Sequence, residues 1–192
     1  MCRMVGIAAS AGGVEALYRI AAALPSTCTA SFFLASHIGD HPSQLPTVLN
    51  RVGRLLAIHG RSGAHIEPGL IYVAPPDHHM RVGTGRIWLD QGPKVHFTRP
   101  AADPLLKSLA RTYGETAVGV VLSGMGHDGA AGLRSIAEHG GLAIVEDPAE
   151  TPYAEMPNAA LASVRQALCL SLQGIGELLA KLCLTPDAHV RL

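Results

Sequence analysis

The chain has 192 residues, 48% of them apolar and 16% charged, and its formal net charge is zero. Such a chain buries a full core in one domain and is not disordered. Neutrality removes the electrostatic reason to expect nucleic acid or an anionic membrane as partner, and aromatic residues at 4% argue against a stacking platform for single strands.

Short apolar runs alternate with helix-period segments. Residues 4–9 read as a buried strand. Leu17, Ile20, Ala21 and Leu24 then recur at helical spacing, and Pro25 stops that helix. Residues 31–36 (SFFLAS) read as a second strand, 41–52 as a helix entered through Pro42, and 54–59 as a third strand. The middle is rich in Gly and Pro. Gly83-Thr84-Gly85 predicts a hairpin turn between 80–82 and 86–89, an antiparallel insertion at an edge. A helix over 102–113 places Leu105, Leu106, Leu109 and Tyr113 on one face. A strand over 117–122 follows, then a helix marked by Leu133, Ile136 and Ala137 and ended by Gly140-Gly141. Strands over 142–146 and 167–170 and a helix carrying Ile175, Leu178, Leu179 and Leu182 complete a domain spanning 1–184. Residues 185–192 read as a loose tail. The expected fold is α/β: a doubly wound, mostly parallel sheet with helices on both faces and an antiparallel hairpin near one edge.

Sheets of this kind bind ligands beyond the carboxyl ends of their strands. Reactive side chains follow several strands there: Ser10 after the first, His37 after the second, and Asp128 in SGMGHDG after the 117–122 strand. A serine needs an imidazole to take its proton, and the imidazole needs an anion to fix its tautomer. Ser10 lies among small residues suited to a sharp strand-to-helix turn, and backbone N–H groups there suit an oxyanion. The plainer readings are a helix cap for Ser10, a cap of the helix near Gly129 for Asp128, and a packed or surface histidine for His37. A phosphate loop fits poorly, because Gly6, Gly12 and Gly13 do not form GxGxxG and no GxxxxGK[ST] occurs.

Other candidates rank lower. Asp77, His78 and His79 are adjacent, and neighbours on an extended segment point opposite ways, so at most alternate residues could share one ion; without HExxH or paired Cys/His spacing no metal is expected. His127 reads as exposed loop. Arg99 before Pro100 reads either as a surface ion pair at a helix entry or as a cleft cation for an anionic substrate. The cysteines are Cys2, Cys28, Cys169 and Cys183, with no CxxC pair. No secretory signal precedes the first apolar run, so reduced thiols in the cytoplasm and no membrane insertion are expected.

Several blocks resemble one family: GIAASAGGVEAL, SHI, PGLIYVAPPDHHM, RPAADPLL, AVGVVLSGMGHDGAAGL and MPNAALA. Over residues 5–182 the chain resembles the catalytic domain of CheB, the chemotaxis protein-glutamate methylesterase. The resemblance implies hydrolysis of glutamate 5-O-methyl esters on cytoplasmic helices of methyl-accepting chemoreceptors, and in many members deamidation of glutamine. It maps catalysis onto Ser10, His37 and Asp128 and oxyanion stabilisation onto Met125. Ala11 is the second expected oxyanion donor, and no cofactor is implied. Ala11 stands where many members have threonine, and Ser36-His37-Ile38 replaces a common Gln-His-Met. No receiver domain accompanies the sequence. A start at Met1 just before the first strand is expected of a stand-alone product, with a separate receiver or methyltransferase as partner. The competing functions are a serine hydrolase of another small ester or amide and a non-catalytic receptor-interaction module.

Overall fold

The structure, a computed structural model, describes residues 3–37 and 42–184. Continuous apolar runs form strands buried on both faces, which is what parallel sheets require. These are β1 (Met4–Ala9), β2 (Ser31–Ser36) and β7 (Ala117–Val121). With β3 (Leu56–His59), β4 (Leu70–Val73), β8 (Leu142–Glu146) and β9 (Leu168–Leu170) they build a seven-stranded sheet in the order β3-β4-β2-β1-β7-β8-β9. Every pairing in it is parallel. The period of two divides each strand between two cores. Val5, Ile7, Phe32 and Leu34 face one side, with α1 (Gly13–Ala23), α2 (Leu45–Asn50) and α6 (Leu172–Leu184). Ala8, Phe33 and Ala35 face the other, with α3 (Ala102–Tyr113), α4 (Ala130–Glu138) and α5 (Glu155–Ser163). Leu105, Leu106 and Leu109 of α3 are fully buried there. Burying each contributes about 1.5–3 kcal/mol relative to exposure, and together they fix where the start of α3 lies.

The doubly wound architecture is as expected, and the hairpin of β5 (His79–Gly83) and β6 (Arg86–Asp90) forms its own antiparallel sheet against α3. Several details differ from the sequence reading. β4 joins the main sheet between β2 and β3; its Leu-Ile-Tyr-Val run is hidden in sequence by the flanking Gly69 and Pro75. α2 is shorter than the expected 41–52 helix. Ser43 Oγ accepts the Leu45 N–H, Pro46 sits in the first turn, and the Gly53 N–H closes on Leu49 O. α5 was hidden by its weak amphipathic pattern and by Pro157 in its first turn. Cys28 and Cys183 form a disulfide, which corrects the expectation of reduced thiols for this pair. They lie 155 residues apart, so spacing carried no sign of their proximity; α6 packs beside α1 and brings them together. Cys169 is free and exposed. The tail expected from Thr185, and Cys2, lie outside the described residues.

Candidate active site

The order β2-β1-β7 puts the ends of three adjacent strands side by side, and each end carries one of the reactive side chains expected there. Ser10 Oγ lies 3.0 Å from His37 Nδ1, and His37 Nε2 lies 2.7 Å from Asp128 Oδ2. A carboxylate only accepts, so Nε2 carries the imidazole proton. Nδ1 is then the acceptor for the Ser10 hydroxyl. Ser10 is not a helix cap: Gly12, in the left-handed region at φ 74°, stands at the start of α1, and the Gly13 N–H bonds the Ser10 carbonyl. A side chain at position 12 would be strained there and would press on Pro152 and the Ser123 hydroxyl.

Asp128 is 1% exposed. It does not cap α4, whose N-cap is Gly129; it caps α3 instead. Its Oδ2 accepts from Ala102 N at 2.6 Å, and its Oδ1 accepts from Asp103 N at 3.0 Å and Gly129 N at 2.9 Å. Burial alone would raise the carboxyl pKa. The hydrogen bonds from His37, Ala102 and Asp103 outweigh it and hold the pKa below the ordinary aspartate value. The helix N-terminus also favours the anion. Asp128 is therefore held as a carboxylate at neutral pH, bonded to His37 Nε2.

The two backbone amides expected for an oxyanion are among those with no acceptor among the described residues. In the Ser10 turn, the Ser10 N–H is used by Ser123 O at 3.0 Å, and Ala11 N–H donates to nothing. In the opposing loop, Gly124 N–H goes to Tyr153 O and Gly126 N–H to Glu155 Oε2, which leaves Met125 N–H between them unused. Gly124 makes the two segments meet. A Cβ there would lie 2.8 Å from the Cβ of Ser10 and collide with the Met156 sulfur.

Sequence reasoning missed the braces. Ser123 holds the Ser10 turn twice, through its carbonyl to Ser10 N and its hydroxyl to Ala11 O at 2.9 Å. Ser123 N–H in turn donates to Glu146 Oε2 at 2.7 Å. Glu146 is the last residue of β8, so the strand-end rule that selects Ser10, His37 and Asp128 points to it as well. Burial raises its pKa, against the opposing Ser123 hydrogen bond and the more distant Arg19. Asp103 is the other missed carboxylate. Its Oδ1 accepts from Gly129 N and Gly132 N, and its Oδ2 lies 3.0 Å from His96 Nε2. His96 meets the ring of His127 at 4.2 Å.

Arg99 is not a free cation at the cleft. Nε and Nη2 bind Asp77 Oδ1 at 2.9 and 2.6 Å, and Nη1 binds the carbonyls of Gln91 and Gly92. Of the two sequence readings, the ion pair is the one present: Arg99 clamps the loop before β5 to the segment after β6. The 77–79 segment spreads its side chains. His78 Nδ1 faces Pro76 O, and His79 Nε2 faces Pro93 O.

The family model for CheB methylesterase matches residues 5–179. The chain is 39% identical over 182 residues to protein-glutamate methylesterase/protein-glutamine glutaminase 2 of Caulobacter vibrioides, covering 92% of this chain and 52% of that protein. It is 33% identical over 178 residues to a putative protein-glutamate methylesterase/protein-glutamine glutaminase of Leptospira interrogans, covering 92% of each. The chain thus spans about half the length of the first relative and nearly all of the second. The crystal structure of the Thermotoga maritima CheB methylesterase catalytic domain superposes with a TM-score of 0.89 at 28% identity, over 95% of this chain and 99% of that one. On this sequence match and this fold, the chain belongs to the CheB methylesterase family.

Proposed function

We propose that the chain hydrolyses glutamate 5-O-methyl esters carried on protein, with methyl-accepting chemoreceptors as its substrates. The carrying observation is the continuous path from Ser10 Oγ through His37 to Asp128, with the unused amides of Ala11 in the Ser10 turn and Met125 in the loop that meets it. In this reading His37 Nδ1 takes the Ser10 proton as Oγ attacks the ester carbonyl carbon. The oxyanion that forms accepts from Ala11 N–H and Met125 N–H, and Asp128 stabilises the imidazolium. Collapse breaks the bond to the methoxy oxygen, and His37 returns its proton so that methanol departs. Water, deprotonated by His37, then attacks the glutamyl-serine ester, and Ser10 leaves with the proton back on Oγ. An amide in the ester's place gives ammonia by the same steps, which accounts for a glutaminase activity of the kind named in the relatives. No described helix is long and apolar enough to cross a membrane. We place the enzyme in the cytoplasm, acting with a separate receiver or methyltransferase protein.

The test is methanol release from a methylated receptor cytoplasmic domain. Ser10→Ala should lower the rate on the order of 10⁴-fold or more, with residual activity from the oxyanion amides. Wild-type protein that is folded and releases no methanol from any receptor overturns the reading.

A further inference from the structure

Residues 95–98 form a two-residue turn closed by hydrogen bonds in both directions, Val95 N to Thr98 O at 3.1 Å and Thr98 N to Val95 O at 3.0 Å. Its central residues, His96 and Phe97, have φ of 51° and 62°. Turns of this kind favour Asn and Gly, because both central residues must be left-handed. Here they are an imidazole and a phenylalanine, and Phe97 is 95% exposed. Neither the strain nor the exposure serves the fold. The turn is nonetheless fixed. Thr98 Oγ1 donates to Val95 O, His96 is held by Asp103 and His127, and Arg99 clamps the following residue to the β6 end.

The anchor leads to Asp128. Donor atoms of His96, Asp103 and Asp128 lie within 4.8 Å of one another. Phe97 thus directly follows a residue whose imidazole nitrogen lies within 4.8 Å of an Asp128 carboxylate oxygen. Exposed Met125 stands two residues before His127, whose ring meets that of His96, in the loop that meets Ser10. Strain kept at a site that gains nothing locally points to function. The hydrogen-bonded turn presents the exposed Phe97 side chain from a fixed backbone position, so no backbone ordering has to accompany binding there.

We propose that Phe97 is a substrate-specificity residue, which grips an apolar side chain of the protein segment carrying the esterified glutamate and so distinguishes protein-borne esters from small ones. The inference rests on the protein-ester reading above.

Steady-state hydrolysis of a methylated receptor cytoplasmic fragment, set against p-nitrophenyl acetate, tests it. Phe97→Ala should raise KM for the receptor about 10-fold, the scale of losing a buried phenyl contact. Its kcat/KM on the small ester should match wild type, and Phe97→Leu should recover part of the receptor KM. Phe97→Gly separates side chain from strain: it should raise Tm by about 2 °C or more while losing receptor affinity like alanine. Receptor KM within twofold of wild type in Phe97→Ala overturns the inference alone. Wild type that cleaves the small ester and no receptor overturns the substrate reading, and the inference with it.

Discussion

The turns after β1 and β7 follow one plan and treat their polar side chains in opposite ways. Each leaves a parallel strand and enters a helix through a left-handed glycine, Gly12 at φ 74° and Gly129 at φ 90°. The first turn presents Ser10, half-buried, with the next amide unused. The second buries Asp128 and fills both its oxygens with donors. The difference teaches where reactivity comes from. In the proposed mechanism Ser10 must be free to leave its hydrogen bond, and among the described residues only His37 bonds its hydroxyl. The carboxylate must never move or protonate, so every neighbour holds it. One turn stores function and the other stores stability that function uses.

Loss of each side chain should separate these roles most sharply. Ser10→Ala and Asp128→Ala should both lower esterase turnover about 10⁴-fold. Thermal denaturation should tell them apart. Ser10→Ala should keep the wild-type Tm. Asp128→Ala strands the buried amides of Ala102 and Asp103 and should cost about 3 kcal/mol, or roughly 6–12 °C. Equal Tm values would break the contrast. Its pH dependence follows from the sign of the shift. A carboxyl with a depressed folded pKa contributes stability that is complete above the ordinary aspartate value of 3.8 and disappears as pH falls through the folded value. The Tm gap between wild type and Asp128→Ala should therefore be full at neutral pH and narrow below 3.8.

Gly124→Ala attacks the free turn from across the cleft. Its methyl group would push directly on Ser10, and a displacement near 1 Å should cost about 10²-fold in kcat with little change in KM. A smaller effect is expected from Glu146, which touches Ser10 only through Ser123. Glu146→Ala should lower kcat about 10-fold on small and protein esters alike, and Glu146→Gln should restore it, since an amide oxygen also accepts from Ser123 N–H. The smallest effect is on stability. Burial raises the Glu146 pKa, so the folded state disfavours the ionised form at neutral pH. Glu146→Gln should gain roughly a few degrees of Tm there, a gain that shrinks as pH falls towards the ordinary value of 4.5.

Much of this site was legible in the sequence because its members obey a positional rule. Ser10, His37 and Asp128 each follow an apolar run long enough to announce a strand, and the strand ends define the rim. The resemblance supplied the strand order that makes β2, β1 and β7 neighbours; periodicity alone does not. What stayed hidden depended on contacts between distant segments. Asp128 caps α3, which begins 26 residues earlier at Ala102. Arg99 looked like a free cation because Asp77 is remote in sequence. Ser123 and Glu146 brace Ser10 through main-chain atoms, and main-chain bonding carries no residue signature. β4 was masked by its glycine and proline neighbours, α5 by its weak hydrophobic periodicity, and the Cys28–Cys183 bond by the length of chain between its ends.

The seam between β1 and β7 has a further consequence. Ser10 and His37 belong to the strands on one side of it, and Asp128 and Met125 come from the turn on the other. Neither wing of the sheet owns a working set of groups. Under the proposed function, hydrolysis would therefore read out whether the wings are docked, and any event that parts them would silence the chemistry without altering a reactive atom. A chain cut between the wings, with the Cys28–Cys183 disulfide reduced, would make two inert halves whose reunion could be followed by turnover alone.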